Sequence, residues 1–166
     1  KICNGAVLYS NYKAMLRNEK LDGVSIVVPT KFHKEVALEA IDNGVNILLE
    51  KPIAQNSQEA LDIVERLKKR RIKCLIGHIE RFNPAVEVMK QKLEEYIGEV
   101  YSVRVTRIGL APIRSVENDV IMELAVHDLD IIKYLFGMDI KRVYGLRRSK
   151  ILTNFNDVTF AIIELQ

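Results

Sequence analysis

Val45-Asn46-Ile47-Leu48-Leu49-Glu50-Lys51-Pro52 is the stretch that decides the fold. It follows Gly44, which stops a helical pattern over residues 31–43 whose Val36, Ala37, Ala40 and Ile41 share one face. A short apolar run bounded by a helix stop and a proline reads as a buried strand of a parallel sheet. Lys51 then leaves that strand at its carboxyl end, the edge at which open α/β sheets bind ligands.

The same alternation extends in both directions. Residues 11–20 read as a helix, and Val24-Ser25-Ile26-Val27-Val28 as a strand stopped by Pro29-Thr30. Residues 57–70 form a helix with an apolar stripe of Ala60, Leu61, Val64 and Leu67, opened by Asn56 and Glu59 in a capping-box spacing. Lys73-Cys74-Leu75-Ile76-Gly77 is another short buried strand. Strands alternating with helices imply a parallel sheet with right-handed crossovers. After Gly77 the pattern changes. Asn83 as N-cap and Pro84 at the first helical position open a helix to Tyr96. An alternating strand over residues 100–108 follows, then a helix over 119–136 stopped by Gly137, then strands over 140–148 and 157–165. The fold class is therefore α/β: part of a parallel sheet in residues 1–77, then part of an α+β domain with a mostly antiparallel sheet in residues 78–166.

At 166 residues the chain makes one domain or two small or incomplete ones. No G-x-G-x-x-G is present, and residues 160–166 end within a strand pattern, so a piece of a longer protein is expected. Composition is 48% hydrophobic and 28% charged, and the net charge of +3 is spread apart from Lys68-Lys69-Arg70-Arg71-Ile72-Lys73. That run ends a helix, where cations complement the dipole, and no aromatic residue interleaves with it; no nucleic-acid partner is expected. Cys3 and Cys74 lack metal-ligand spacing. No apolar run approaches the ~20 residues of a membrane span, and residues 1–5 lack signal-peptide organisation. The expectation is a cytoplasmic protein with neither membrane nor metal.

Glu123-Leu124-Ala125-Val126-His127-Asp128-Leu129-Asp130 places Glu123 and His127 one helical turn apart on one face. A strand-end lysine and a carboxylate-paired histidine suit proton transfer. Plainer readings stand beside this. Glu50-Lys51-Pro52 also fits an ordinary strand-ending loop, and Glu123 with His127 an exposed helix pair. With Asp130 these two also resemble a zinc set, for which no fourth ligand is recognisable. His33 and His78 each follow a strand and read equally as packed histidines or cofactor contacts.

Val27-Val28-Pro29-Thr30 with His33, then Glu50-Lys51-Pro52, then His127-Asp128-Leu129-Asp130 occur in one order. The ordered set resembles the Gfo/Idh/MocA family of NAD(P)-dependent sugar oxidoreductases over essentially the whole chain. The resemblance implies the later half of a Rossmann domain in residues 1–77 and the first part of a C-terminal substrate and oligomerisation domain in 78–166. It implies NAD or NADP as cofactor, met by Pro29, Thr30, His33, Glu50, Lys51, Pro52 and Arg81. Lys51 takes the place of the family's catalytic lysine, hydrogen-bonded to the reacting hydroxyl, and His127 that of its proton-exchanging histidine. Glu123 stands where the family usually has aspartate.

Gly77-His78-Ile79-Glu80-Arg81-Phe82-Asn83-Pro84 resembles a signature of the subgroup that includes UDP-N-acetylglucosamine 3-dehydrogenases; its plainer reading is a capped interdomain turn. Arg107 and Arg114 lie in a stretch resembling that subgroup's sugar-nucleotide loop. Lys51, Arg114, His127 and Asp130 are thus the implied substrate contacts, with Asp130 either holding sugar or supporting the histidine. The implied activity is hydride transfer between nicotinamide and a secondary sugar hydroxyl, first on a UDP-amino sugar such as UDP-N-acetylglucosamine. A free-sugar or inositol dehydrogenase and a non-catalytic regulatory protein of the same fold are the alternatives. A homodimer or homotetramer is implied by the same resemblance.

Overall fold

Val45, Ile47 and Leu49 are buried while Asn46 and Leu48 between them are exposed, the period-two signature of a strand with one covered face. The computed structural model describes residues 5–96, 98–109, 118–150 and 155–166. It divides into two units, Lys1–Gly77 and His78–Gln166. In the first, α1 (Tyr12–Asn18) precedes β1 (Gly23–Ile26), α2 (His33–Asp42), β2 (Asn46–Leu49), α3 (Ser57–Arg70) and β3 (Cys74–Ile76). The three strands are parallel in the order β1-β2-β3.

Leu16, Ala37, Ala40, Ile41 and Ile63 from the helices close over Ile26, Ile47 and Leu49 in one apolar cluster. Among the described residues the helices cover one face of the sheet. On the opposite face Leu48 and Leu75, cross-strand partners, are 46% and 72% exposed. The predicted stripe of α3 is also shifted: Ile63 is fully buried and Leu61 is 53% exposed. Positions 60, 63, 64 and 67 follow the 3.6-residue period, and 61 falls on its border. Asn56 caps α3 by accepting the Glu59 N–H at 2.9 Å, but the Glu59 carboxylate accepts from Gln55 N–H at 3.2 Å.

In the second unit Asn83 accepts the Ala85 N–H at 3.0 Å and opens α4 (Pro84–Tyr96). β4 (Ile140–Arg148) and β5 (Val158–Leu165) form an antiparallel pair with Val143 opposite Ile163. The strand expected at 100–108 is not formed: residues 98–109 have no ladder partner among the described residues. Alternation assigns side chains to faces, whereas a strand also needs a second backbone ~4.8 Å away. The helix expected over 119–136 is interrupted, with a π-helical turn at Ile121–Ala125 before α5 (Val126–Phe136). Its start is pinned where Asp119 accepts from the Ile121 and Met122 N–H groups, and where Val120 N–H donates to the Asn156 carbonyl at 2.9 Å. Among the described residues no helix is long and apolar enough to cross a membrane.

The shifted stripe is checked by urea unfolding. Ile63→Ala is expected to cost ~2–5 kcal/mol and Leu61→Ala under ~0.5 kcal/mol; equal losses would contradict the packing.

Candidate active site

Glu50 continues the ladder past β2, donating its N–H to the Ile26 carbonyl at 3.1 Å, while Gly77 N–H donates to the Leu49 carbonyl at 2.8 Å. The Glu50 carboxylate then turns back and accepts the Lys51 N–H at 3.2 Å. It lies against Gly77, where a Cβ would approach its Oε2 to 3.2 Å. The missing side chain at 77 leaves the carboxylate its place.

His33, the first residue of α2, stands behind this turn. Its ring is 1% exposed, with Nδ1 at 2.8 Å from the Pro52 carbonyl and Nε2 at 2.9 Å from the Val28 carbonyl. Of the two readings open for His33, the structure places it in the core, both nitrogens facing main-chain oxygens. The same ring ties the segment after β1 to the segment after β2. Pro29 accepts the Phe32 N–H at 2.8 Å, and Thr30 is buried at the start of the intervening 3-10 turn. Pro29, Thr30, Glu50, Lys51 and Pro52 thus share the carboxyl edge of the parallel sheet.

In the second unit Glu123 lies in the π turn and His127 is the second residue of α5. The unbroken α-helix assumed between them is thus replaced by a π turn, which bonds i to i+5, followed by α5. The Glu123 carboxylate accepts from the Asn118 amide at 3.3 Å.

The aspartates after His127 have arginine partners that sequence reading did not foresee. Asp130, read as a sugar contact, has a side chain only 9% exposed and accepts from Arg81 Nε at 2.8 Å and Nη2 at 2.5 Å. Arg81, read as a contact for cofactor or phosphate, is therefore engaged as a two-pronged partner, and Asp130 raises its pKa. The guanidinium also lies 5.3 Å from the Tyr134 ring centre, which Lys90 approaches to 4.0 Å. Asp128 accepts from Arg107 Nε at 2.9 Å and Nη2 at 2.7 Å, so Arg107 is held within its own unit. Nothing local signals these pairs, since each joins residues far apart in the chain. Arg114 lies outside the described residues.

His78 Nδ1 is 3.5 Å from Asp130 Oδ2. Burial holds its pKa below the usual 6.5, with Arg81 acting the same way and Asp130 opposing.

Residues 3–78 match the Gfo/Idh/MocA family profile, described as an oxidoreductase family with an NAD-binding Rossmann fold. UDP-N-acetylglucosamine 3-dehydrogenase of Acidithiobacillus ferrooxidans is 36% identical over 120 residues, 72% of this chain and 37% of that protein.

The chain belongs to the Gfo/Idh/MocA family.

A solved structure of an Acidithiobacillus ferrooxidans UDP-N-acetylglucosamine 3-dehydrogenase superposes with a TM-score of 0.83 at 32% identity, covering 95% of this chain and 48% of that one. The scyllo-inositol 2-dehydrogenase (NAD(+)) of Bacillus subtilis is 31% identical over 145 residues, 84% of this chain and 42% of that protein. The chain thus spans less than half the length of each of these three relatives.

The lowered His78 pKa gives a signed expectation. The folded state binds this proton less readily than the unfolded chain, so the contribution of His78 to stability is complete above pH 6.5 and is lost as pH falls through the folded value. His78→Gln should flatten the fall in melting temperature between about pH 7.5 and about pH 5. An unchanged slope would show that this residue does not set it.

Proposed function

We propose that this Gfo/Idh/MocA chain belongs to an NAD(P)-dependent dehydrogenase that transfers a hydride between nicotinamide and a secondary hydroxyl of a sugar. The carrying observation is Lys51, projected from the carboxyl end of β2 in a turn fixed by the Glu50 carboxylate on one side and the Pro52 carbonyl on the other. On this reading residues 1–77 are the later half of the Rossmann domain and 78–166 the first part of the substrate domain. The edge fits a nicotinamide nucleotide: Pro29, Thr30, Glu50, Lys51 and Pro52 lie where parallel sheets receive such ligands. NAD or NADP, when bound, supplies the hydride chemistry.

The chain's own groups manage the proton. Taking a hydride from a carbinol carbon leaves a carbonyl, and the hydroxyl proton needs an acceptor. Lys51 hydrogen-bonds that hydroxyl, His127 exchanges the proton, and Glu123 supports the histidine. Asp130 and Arg81 act by fixing α5 against the turn at Ile79–Phe82 rather than by holding sugar. A UDP-amino sugar such as UDP-N-acetylglucosamine is the first substrate, supported by the 36% identical relative. An inositol is the second, supported by the 31% identical one. A cytoplasmic homodimer or homotetramer completes the reading.

The test follows absorbance at 340 nm in the full-length protein with NAD or NADP and UDP-N-acetylglucosamine, then with inositols and free sugars. Lys51→Met is expected to lower kcat by ~10²–10⁴-fold, the scale of a lost proton-transfer group. Turnover by Lys51→Met near that of the wild type would sink the catalytic role of Lys51, and no turnover with any of these alcohols would sink the sugar-dehydrogenase reading.

A further inference from the structure

We propose that His33 is a positioning residue that sets Lys51 through the carbonyl of Pro52, an inference that rests on reading Lys51 as catalytic. A polar ring in an apolar core is costly to bury unless its polar atoms are bonded. His33 meets that condition with main-chain oxygens alone: Val28 after β1 and Pro52 after β2. A carbonyl oxygen only accepts, so each contact is a hydrogen bond when that ring nitrogen carries a proton; the neutral ring serves one carbonyl and the imidazolium both.

The ring is rooted in a fixed frame. His33 begins α2, whose Ala37, Ala40 and Ile41 are fully buried against the strands. The Pro52 carbonyl is thereby referenced to the core. On the other side of Lys51, Glu50 is bonded to Ile26 through its N–H and accepts the Lys51 N–H with its carboxylate. Lys51 is the one residue between these two anchored neighbours, so its backbone direction follows from both. A catalytic side chain needs that restraint, because an ångström of misplacement can cost ~10²-fold in rate.

Two variants separate positioning from core packing. In asparagine the amide nitrogen lies near the place of Nδ1 and retains a donor toward Pro52; in glutamine it lies near that of Nε2 and retains one toward Val28. Each keeps a donor toward one carbonyl and none toward the other. In the full-length protein His33→Gln is expected to lower kcat at least about tenfold below His33→Asn, with the KM for NAD or NADP and the melting temperatures of the two alike. The rate of Lys51 labelling by trinitrobenzenesulfonate should differ between the two variants in the same order, a readout that needs no turnover. Equal kcat and equal labelling would overturn the proposal, leaving His33 a core residue only. Failure of either variant to fold would count against it in the same way. Retained turnover in Lys51→Met with a labelling difference would instead overturn the catalytic role of Lys51 and keep the positioning. A dead Lys51→Met with indistinguishable His33 variants would do the reverse.

Discussion

The register of β2 within its sheet constrains everything that follows it. Val45, Ile47 and Leu49 face the helices, and Leu49 is paired with both Ile26 and Ile76. A slip of one residue would turn Leu49 out and Leu48 in, reversing the covered face. The same slip would carry Glu50 off the Ile26 carbonyl and its carboxylate away from Gly77. The direction in which Lys51 leaves the sheet is thus a consequence of apolar burial several residues earlier.

Charge pairing plays the corresponding part in the second unit. Two arginines from outside the helix, Arg81 and Arg107, meet the two aspartates that follow His127. Asp130 is nearly buried, and a carboxylate there without a cation would be costly. The pairing fixes α5 against the turn at Ile79–Phe82 and against the segment that carries Arg107. Two charges that sequence reading offers to ligands, Arg81 and Asp130, are thus paired with each other beside the element carrying His127.

The chain is similar both to a UDP-N-acetylglucosamine 3-dehydrogenase and to a scyllo-inositol 2-dehydrogenase. One scaffold accommodates different alcohols when the strand-end machinery is common and the substrate contacts vary.

The sequence by itself determined the local features. Gly44 and Gly137, both at positive φ, mark helix ends; Asn56 and Asn83 mark helix starts; the short apolar run over residues 45–49, between a helix stop and a proline, marks a strand. Each depends on a few consecutive residues, so each is written within a short window. The ordered motifs also sufficed for the family. Tertiary structure alone decided the rest. Which face of β2 is covered, that residues 98–109 lack a ladder partner among the described residues, and that Arg81 belongs to Asp130 all depend on groups distant in the chain. The π turn before His127 and the placement of His33 between two carbonyls are of the same kind. Helix period and capping are properties of neighbouring residues, whereas pairing, burial and ion-pair choice are settled only when the whole chain competes for the same partners.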